Sequence, residues 1–279
     1  MGLSAETRLM GVIGHPIGHS LSPRMHNASF AATSLDYLYL PLDVRPEVLP
    51  VAVAGLGALG FRGFNVTMPH KEKILPLLDS VDDTARLSGA VNTVIVEGDR
   101  MLGTNTDGPG FLEACAEAGF GFAGARVLVV GAGGAAAAIS AAVLGAGAGP
   151  VGLLNRSVWR AEDLRKRLAK TYPGAEISIY PADEPERAAR GVGVVVNATY
   201  LGMKDEDPPP LPPVCLKEGM AVCDAVYRRG VETRLVRLAR ERGLPTVPGQ
   251  RMLLYQGVQA QRLWTGEEPD VEVMSAVLS

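Results

Sequence analysis

Short apolar runs of strand length alternate with amphipathic runs of helix length along nearly the whole chain. The strand candidates are LMGVIG, YLYLPL, GFNVT and AVNTVIVEG before GTNTDG, and RVLVV, VGLLN, EISIY, VGVVVN and MAVCDAV after it. Such alternation is typical of α/β proteins with mainly parallel sheets, because a helix crosses over between two parallel strands. The elements are too many for one small sheet. The pattern therefore predicts two α/β domains with a boundary near residues 104–108.

The composition of the 279 residues excludes several classes of protein. A net charge of −3, with the two signs interspersed, offers no basic surface for a nucleic acid or an anionic membrane. The three cysteines form no Cys-x-x-Cys pair, which favours buried free thiols in a reducing compartment and hence a cytoplasmic protein. The N-terminus lacks the apolar stretch of a signal peptide. A monomer and a homodimer both remain open.

Residues 127–154 contain no charged side chain, a length that would suit a membrane span. The glycines that follow VLVV at once break the segment at strand length, and the rest is mostly alanine and glycine. We therefore interpret it as a buried strand followed by a packed helix, and we predict no membrane association.

The segment RVLVVGAGGAA places Gly131, Gly133 and Gly134 directly after a predicted strand and at the start of an alanine-rich helix. Glycines allow a tight turn and a close approach to phosphate, and a helix N-terminus presents free N–H groups and a partial positive charge. An ordinary tight turn is the alternative, since glycine spacing alone is weak. The strand, loop and helix context predicts a doubly wound Rossmann-type domain over residues 107–249.

The next predicted strand ends with Asn155, Arg156 and Ser157, and Arg160 follows one turn later. NAD sites usually carry an acidic residue here, about 20 positions after the glycine loop, for the ribose hydroxyls. No carboxylate is present, and arginine makes planar, charge-assisted contacts with phosphate. The segment predicts NADP rather than NAD. A solvated arginine at a helix start is the alternative for Arg160.

All six asparagines and all four histidines lie in or beside loops rich in glycine, serine or threonine. Turn chemistry explains one or two of these positions, but poorly explains all ten. In GHPIGHSLSPRMHN, Ser20 and Ser22 form a neutral cradle for a carboxylate, although Ser22 also suits the N-cap of a helix whose first turn holds Pro23. Asn92 is placed at a strand start and Asp107 at a strand end, where α/β proteins bind ligands. The histidines have no partners at metal-ligand spacing, so no metal site is predicted.

With these motifs the chain resembles the shikimate dehydrogenase family. The matching segments, in family order and over nearly the whole length, are GHPIGHSLSPRMHN, GFNVTMPHK, SGAVNT, GTNTDG, GAGGAA, NRSVWRA, NATYLGM, DAVY and GQRMLLYQG. Departures such as Gly18, Leu21 and Ser157 remove no functional side chain. The resemblance implies NADP-dependent interconversion of 3-dehydroshikimate and shikimate, in chorismate and aromatic amino acid biosynthesis.

The resemblance also implies residue roles by position. Residues 1–106, with 250–279 returning as helices, would bind substrate and carry catalysis, and residues 107–249 would bind NADP. The substrate carboxylate would be held by Ser20 and Ser22, with Tyr227 nearby, and the hydroxyls by Thr67, Lys71, Asn92, Asp107 and Gln256. The cofactor would be bound by Gly131, Gly133, Gly134 and Ala135 at the pyrophosphate, by Asn155, Arg156, Ser157 and Arg160 at the 2′-phosphate, and by Thr199, Met203, Val226 and Gly249 toward the nicotinamide.

Lysine is rare among the cations of this chain, yet one follows Pro-His in NVTMPHKEK. Reduction of a ketone requires a proton, and an amine can exchange one whereas a guanidinium stays protonated. We therefore interpret Lys71 as a catalytic residue, with Asp107 fixing it and binding the same hydroxyl. Which of the two moves the proton stays open. A plain lysine at a helix start is the alternative, and it suits Lys73 better than Lys71.

Two other functions compete. An enzyme of the same fold could act on quinate with NAD, which the missing acidic residue disfavours. A non-catalytic sensor of a cyclohexene acid or nucleotide could lose Lys71 or Asp107 without penalty, and both are present. The expected ligand is a small molecule in each case.

Overall fold

The computed structural model describes residues 3–278, which divide into two compact units. Unit 1 comprises Met1–Thr106 and Leu254–Ser279, and unit 2 comprises Asp107–Leu253. The predicted domain bounds also include residues 1, 2 and 279, which lie outside the described residues. The chain passes back to unit 1 at Leu254, four residues after the predicted position.

The first part of unit 1 is a six-stranded mixed sheet with helices along it. Its elements are β1 (Arg8–Gly14), α1 (Ser22–Ala32), β2 (Tyr37–Asp43), α2 (Leu49–Ala58), β3 (Gly63–Val66), β4 (Ser80–Val81), α3 (Asp83–Ser88), β5 (Thr93–Glu97) and β6 (Arg100–Thr104). The strand order is β2-β1-β3-β5-β6-β4. The pairings of β1 with β2 and β3, and of β4 with β6, are parallel, whereas β5 is antiparallel to both β3 and β6. The short strand β4 was not predicted, and β6 was predicted only by the placement of Asp107 at a strand end.

Alternate residues of β1 face two different cores, as the two-residue period of a strand requires. Met10 and Val12 pack in one apolar cluster with residues of α1, and Ile13 packs in the other with residues of α2. The sheet of unit 1 is therefore covered on both faces, which explains why its strands are almost wholly apolar.

Unit 2 is an α/β unit with one sheet of six parallel strands. Its elements are α4 (Asp107–Glu117), β7 (Val127–Val130), α5 (Gly134–Gly145), β8 (Val151–Asn155), α6 (Val158–Thr171), β9 (Ile177–Pro181), α7 (Pro185–Ala188), β10 (Val194–Asn197), β11 (Ala221–Asp224), α8 (Arg234–Arg240) and β12 (Thr246–Val247). The order is β12-β11-β10-β7-β8-β9, which, counted from the first strand of the unit, is the doubly wound arrangement of nucleotide-binding domains. The predicted Rossmann-type fold is confirmed. The strand β12 was not predicted.

The chain ends with α9 (Gly249–Thr265) and α10 (Val271–Ala276). Ala260 and Trp264 of α9 belong to an apolar cluster of unit 1, and the indole N–H of Trp264 donates to the carbonyl of Val94 at 2.9 Å. The predicted return of the C-terminal helices to the first domain is confirmed. Among residues 3–278, no helix is both long and apolar enough to cross a membrane.

Candidate active site

The polar residues of unit 1 gather at one edge of its sheet because of how the strands pair. Parallel β1 and β3 both end at this edge, and the backbone N–H of Thr67 donates to the carbonyl of Ile13 at 2.9 Å. Because β5 runs antiparallel to β3, its start lies at the edge where β3 ends. The end of β6 lies there too, since Thr104 is the partner of Thr93. Residues after the ends of these strands and before the start of β5 are therefore neighbours.

The two residues predicted to bind the substrate carboxylate lie after β1: Ser20 is in the loop before α1, and Ser22 is the first residue of α1. The hydroxyl of Ser20 accepts a hydrogen bond from the backbone N–H of Ser22 at 3.3 Å. The alternative of an N-cap at Ser22 is wrong: α1 begins at Ser22, Leu21 occupies the cap position, and no side chain caps the helix. Ser22 is buried in the first turn, and its hydroxyl does not accept a capping hydrogen bond from a backbone N–H of α1.

Thr67 and Lys71 lie in consecutive turns after β3. The alternative of a helix start at Lys71 or Lys73 is wrong, because residues 68–74 form turns and only Leu75–Leu77 form a short 3₁₀ helix. The carbonyl of Lys71 accepts from the backbone N–H of Val91 at 2.8 Å, which joins this loop to the residue before Asn92. Lys71 is half-buried, whereas Lys73 is exposed, as the sequence interpretation of Lys73 requires.

Asn92 is the centre of a buried hydrogen-bond network. Its side-chain oxygen accepts from the backbone N–H of Thr106 at 2.8 Å and from the hydroxyl of Thr93 at 2.9 Å. Its amide nitrogen donates to the hydroxyl of Thr106 at 3.0 Å and lies 3.5 Å from the side-chain oxygen of Gln256 on α9. The structure thus brings Asn92 and Gln256 together.

A second layer of this network was missed by the sequence interpretation. The amide of Asn65 donates to the carbonyl of Asn92 at 3.0 Å, and the hydroxyl of Tyr39 donates to the side-chain oxygen of Asn65 at 2.6 Å. Both Asn65 and Tyr39 are buried inside strands, where a polar atom needs a partner. An asparagine within the apolar run GFNVT was the available signal.

His26 packs beneath the same layer, and its ring stacks on that of Tyr39 with 4.4 Å between the centroids. Burial lowers the pKa of His26 to about 4, and the hydrogen bond with Gln261 acts in the opposite direction. His26 is therefore neutral at ordinary pH. Its ring thus packs α1 against β2.

Asp107 is the first residue of α4 and is buried. The sequence placed it at a strand end, but β6 ends at Thr104, and Asn105 and Thr106 come between. A carboxylate in the first turn of a helix is favoured by the helix dipole. Asp107 thus directly follows Thr106, a member of the Asn92 network, in the chain.

In unit 2, the glycine loop lies where the strand order reverses, between β7 and β10. Gly131 has φ = +121°, and a Cβ there would lie 2.9 Å from the carbonyl oxygen of Ala198. Gly133 is the N-cap of α5 and has open space where a Cβ would stand. Gly134 and Ala135 form the first turn, with no side-chain cap and no acidic residue. This loop fits a phosphate, because the first N–H groups of the helix lack side-chain partners.

The start of α6 follows β8 and is rich in cationic side chains. The amide of Asn155 donates to the carbonyl of Ser157 at 2.9 Å, and Ser157 is the N-cap without a side-chain bond. Arg156 and Arg160 are exposed, and no acidic residue lies in the first turn. Within residues 3–278, neither arginine forms an ion pair. An uncapped helix start with two arginines fits the extra phosphate of NADP and offers no carboxylate to the free ribose hydroxyls of NAD.

A buried polar group ties together the loops after β10 and β11. Asp224 accepts from Asn197 at 2.8 Å, from the hydroxyl of Thr233 at 2.7 Å and from the backbone N–H of Val226 at 3.0 Å. Burial raises the pKa of Asp224 to about 6, and these three hydrogen bonds act in the opposite direction. The sequence interpretation missed Asp224, although a single acid at the end of the apolar run MAVCDAV was a signal.

The remaining predicted cofactor residues lie around this group. Thr199 donates its hydroxyl to the side-chain oxygen of Asn197 at 2.7 Å, and the N–H of Met203 donates to the carbonyl of Tyr200 at 3.1 Å. Gly249 begins α9, where its backbone leaves no room for a side chain beside the carbonyl of Val226. Tyr227 follows in the loop after β11 and is half-buried.

The cysteines of the described residues form no disulfide and are not suited to nucleophilic chemistry. All three cysteines are free and buried, as predicted, and the sulfur atoms of Cys115 and Cys223 are 3.9 Å apart. Burial raises the pKa of the Cys215 and Cys223 thiols, which makes them poor nucleophiles. No group of three or more histidine, cysteine or acidic side chains among residues 3–278 is arranged to hold a metal ion.

The fold and these sites define a two-unit α/β protein whose second unit is a Rossmann-type domain with a site suited to a phosphorylated dinucleotide. Three family models match the chain: "Shikimate dehydrogenase substrate binding domain" over residues 12–94, "Shikimate / quinate 5-dehydrogenase" over 114–202 and "Shikimate 5'-dehydrogenase C-terminal domain" over 249–278. A relative from Rubrobacter xylanophilus, named shikimate dehydrogenase (NADP(+)), is 58% identical over 278 residues, which cover 99% of this chain and 97% of the relative. The chain belongs to the shikimate dehydrogenase family.

Solved structures show the same similarity. Shikimate 5-dehydrogenase from Thermus thermophilus, in complex with NADP(H) and shikimate, is 38% identical with a TM-score of 0.88, covering 97% of this chain and 98% of that one. Quinate dehydrogenase from Corynebacterium glutamicum, in complex with NAD, is 33% identical with a TM-score of 0.88 and the same coverage of both chains. The fold alone therefore does not separate the two substrates or the two cofactors.

Proposed function

We propose that this protein interconverts 3-dehydroshikimate and shikimate with NADP, as a step in chorismate and aromatic amino acid biosynthesis. The observation that carries the proposal is the start of α6, where Arg156 and Arg160 stand without acidic partners and no carboxylate ends β8. The high identity to a relative named as the NADP enzyme supports it. The alternative of quinate with NAD is disfavoured, because NAD sites usually carry a carboxylate at that position and β8 ends at Asn155.

The units would divide the work. Unit 1, which contains the matched substrate-binding segment 12–94, would bind the substrate, and residues 107–249 would bind NADP. Substrate would be bound by Ser20, Ser22, Thr67, Lys71, Asn92, Asp107, Tyr227 and Gln256. Supporting this set, Asn92 and Gln256 are already neighbours, and Ser20, Thr67 and Lys71 follow the ends of β1 and β3 at one sheet edge.

NADP, when bound, accepts or donates a hydride at its nicotinamide ring. The residues of this chain would handle the proton: oxidation of the substrate hydroxyl releases one, and reduction of the ketone requires one. Lys71 and Asp107 are proposed for this role. The glycine loop with Gly131, Gly133, Gly134 and Ala135 would hold the pyrophosphate, and Asn155, Arg156, Ser157 and Arg160 the 2′-phosphate. Thr199, Met203, Val226 and Gly249 would lie toward the nicotinamide.

The proposal also includes the location and the assembly of the protein. The buried free thiols favour a reducing, cytoplasmic location. A small-molecule ligand is proposed for a chain that acts as a monomer or a homodimer.

Initial rates of oxidation of shikimate and quinate, each with NADP and with NAD, test the function. We expect shikimate with NADP to be strongly preferred. A preference for quinate or NAD would overturn the specificity and retain the class of reaction. Absence of turnover in all four pairs, with ligand binding intact by calorimetry, would indicate a sensor.

A further inference from the structure

Trp159, in the first turn of α6, is an exposed aromatic residue beside the proposed 2′-phosphate site. Its side chain is 69% exposed, the larger of the two exposures found among the tryptophans, since Trp264 is 6% exposed. The guanidinium carbon of Arg160 lies 5.3 Å from the centroid of the Trp159 ring. An arginine over an indole at this distance is held by a cation–π interaction.

The acidic side chains of α6 pair with other arginines and do not compete with the indole for Arg160. Glu162 accepts two hydrogen bonds from Arg165, at 2.8 and 3.1 Å, and Asp163 pairs with Arg167 at 3.3 Å. The two carboxylates closest in sequence after Arg160 are therefore neutralised by cations one turn further on. The indole ring is the side-chain partner that the described residues provide for the Arg160 guanidinium.

We propose that Trp159 is a positioning residue for Arg160 and thereby a determinant of the preference for NADP over NAD, an inference that rests on the proposed function. Arginine binds phosphate through N–H donors at the edge of its planar group. A ring packed on the flat face of that group leaves the donors available. Holding the side chain before the cofactor arrives reduces the entropy lost when the 2′-phosphate binds.

The test compares Trp159→Ala with Trp159→Phe in the full-length protein. Trp159→Ala is expected to raise the Kd and the KM for NADP about two- to five-fold, the factor expected for an exposed cation–π contact. The kcat with shikimate and the affinity for NAD are expected to stay unchanged. Trp159→Phe retains an aromatic face and is expected to recover most of the lost affinity. Equal weakening of NADP and NAD, or no change in either, would overturn the positioning role.

Binding of 2′,5′-ADP and of 5′-AMP, measured by calorimetry, separates this inference from the proposed function, because neither probe requires turnover. We expect Trp159→Ala to weaken 2′,5′-ADP and to leave 5′-AMP unchanged. The same loss for both nucleotides would overturn the inference even if the wild-type protein oxidises shikimate with NADP. A selective loss for 2′,5′-ADP in a protein that oxidises neither substrate would sustain the inference and refute the proposed function.

Discussion

A methyl group on Gly131 would lie 2.9 Å from the carbonyl oxygen of Ala198. These two residues follow β7 and β10, the neighbouring strands at which the order of the unit 2 sheet reverses. The backbone of one loop thus touches the backbone of the other, and the φ of +121° at Gly131 is one that other residues rarely adopt. At Gly133, two residues later, an added methyl group would meet no atom within 4 Å.

Because of this difference, alanine is expected to affect stability at Gly131 and NADP binding at Gly133. Gly131→Ala is expected to destabilise the protein by about 1–3 kcal/mol, because it combines backbone strain with a close contact. Gly133→Ala is expected to leave the unfolding midpoint nearly unchanged but to weaken NADP, because its methyl group would occupy space next to the proposed pyrophosphate position. Urea unfolding and calorimetric titration measure the two effects. Normal NADP affinity in Gly133→Ala would contradict the assignment of this loop.

Lys71→Ala is expected to lower kcat about 100-fold or more, the usual contribution of a positioned proton donor or acceptor. The Kd for NADP is expected to stay near the wild-type value, because the lysine is assigned to the substrate. Steady-state kinetics and a binding titration measure both. Lys73→Ala is the matched control, since Lys73 is exposed two residues away, and it is expected to retain full turnover. Wild-type kcat in Lys71→Ala would refute the catalytic role.

Arg156→Ala is expected to weaken NADP about ten-fold while changing NAD little, because a charge-assisted hydrogen bond to phosphate is lost. Lys166→Ala removes an exposed cation of the same helix at a position away from its start, and is expected to leave both affinities unchanged. Calorimetric Kd values for NADP and NAD, measured in wild type and in both variants, test this prediction. Equal weakening of both would refute the 2′-phosphate assignment.

The neutral, buried His26 predicts how stability responds to acid. Its pKa is about 4 in the folded protein and 6.5 when unfolded, so between these values the unfolded chain binds more protons and folding weakens as the pH falls. The full effect is about 3 kcal/mol, present above pH 6.5 and lost as the pH approaches 4. His26→Gln is expected to flatten the dependence of the unfolding midpoint on pH in this window.

His19→Gln is the control for that measurement, because it makes the same substitution at an exposed histidine. Asp224 acts in the opposite direction: its pKa rises from 3.8 to about 6 on folding, so its contribution weakens folding as the pH rises through this range. Asp224 is therefore retained in both proteins when the pH dependence of the unfolding midpoint is compared between His26→Gln and wild type. An identical slope in the two proteins would contradict a neutral, buried His26.

Several parts of the site could be predicted from local sequence. The glycine loop, the missing acid after VGLLN and the two arginines are read within a short segment, because one strand, one turn and one helix start build the site. The placement of Asn92 could not be predicted in this way. A strand start in a parallel sheet lies opposite the ligand-binding edge, and the antiparallel pairing of β5 with β3 brings it to the edge where β3 ends.

Local patterns also misplaced two elements. Pro23 suggested Ser22 as an N-cap, yet the helix already includes Ser22, and Leu21 occupies the cap position. The run after Pro69 suggested a helix at Lys71, yet the chain forms turns there, with the backbone of Lys71 bonded to Val91 rather than to a helix. At Lys71 the partner lies 20 residues further along the chain, beyond the reach of a local pattern.

The sequence by itself determined the α/β class, the family and the nucleotide loop, because periodicity, glycine spacing and helix-start chemistry are local properties of the chain. Only the tertiary structure decided that Tyr39 and Asn65 support Asn92, and that Asp224 ties two loops of unit 2 together. Hydrogen bonds between residues far apart in the sequence depend on strand pairing and packing that no short segment encodes.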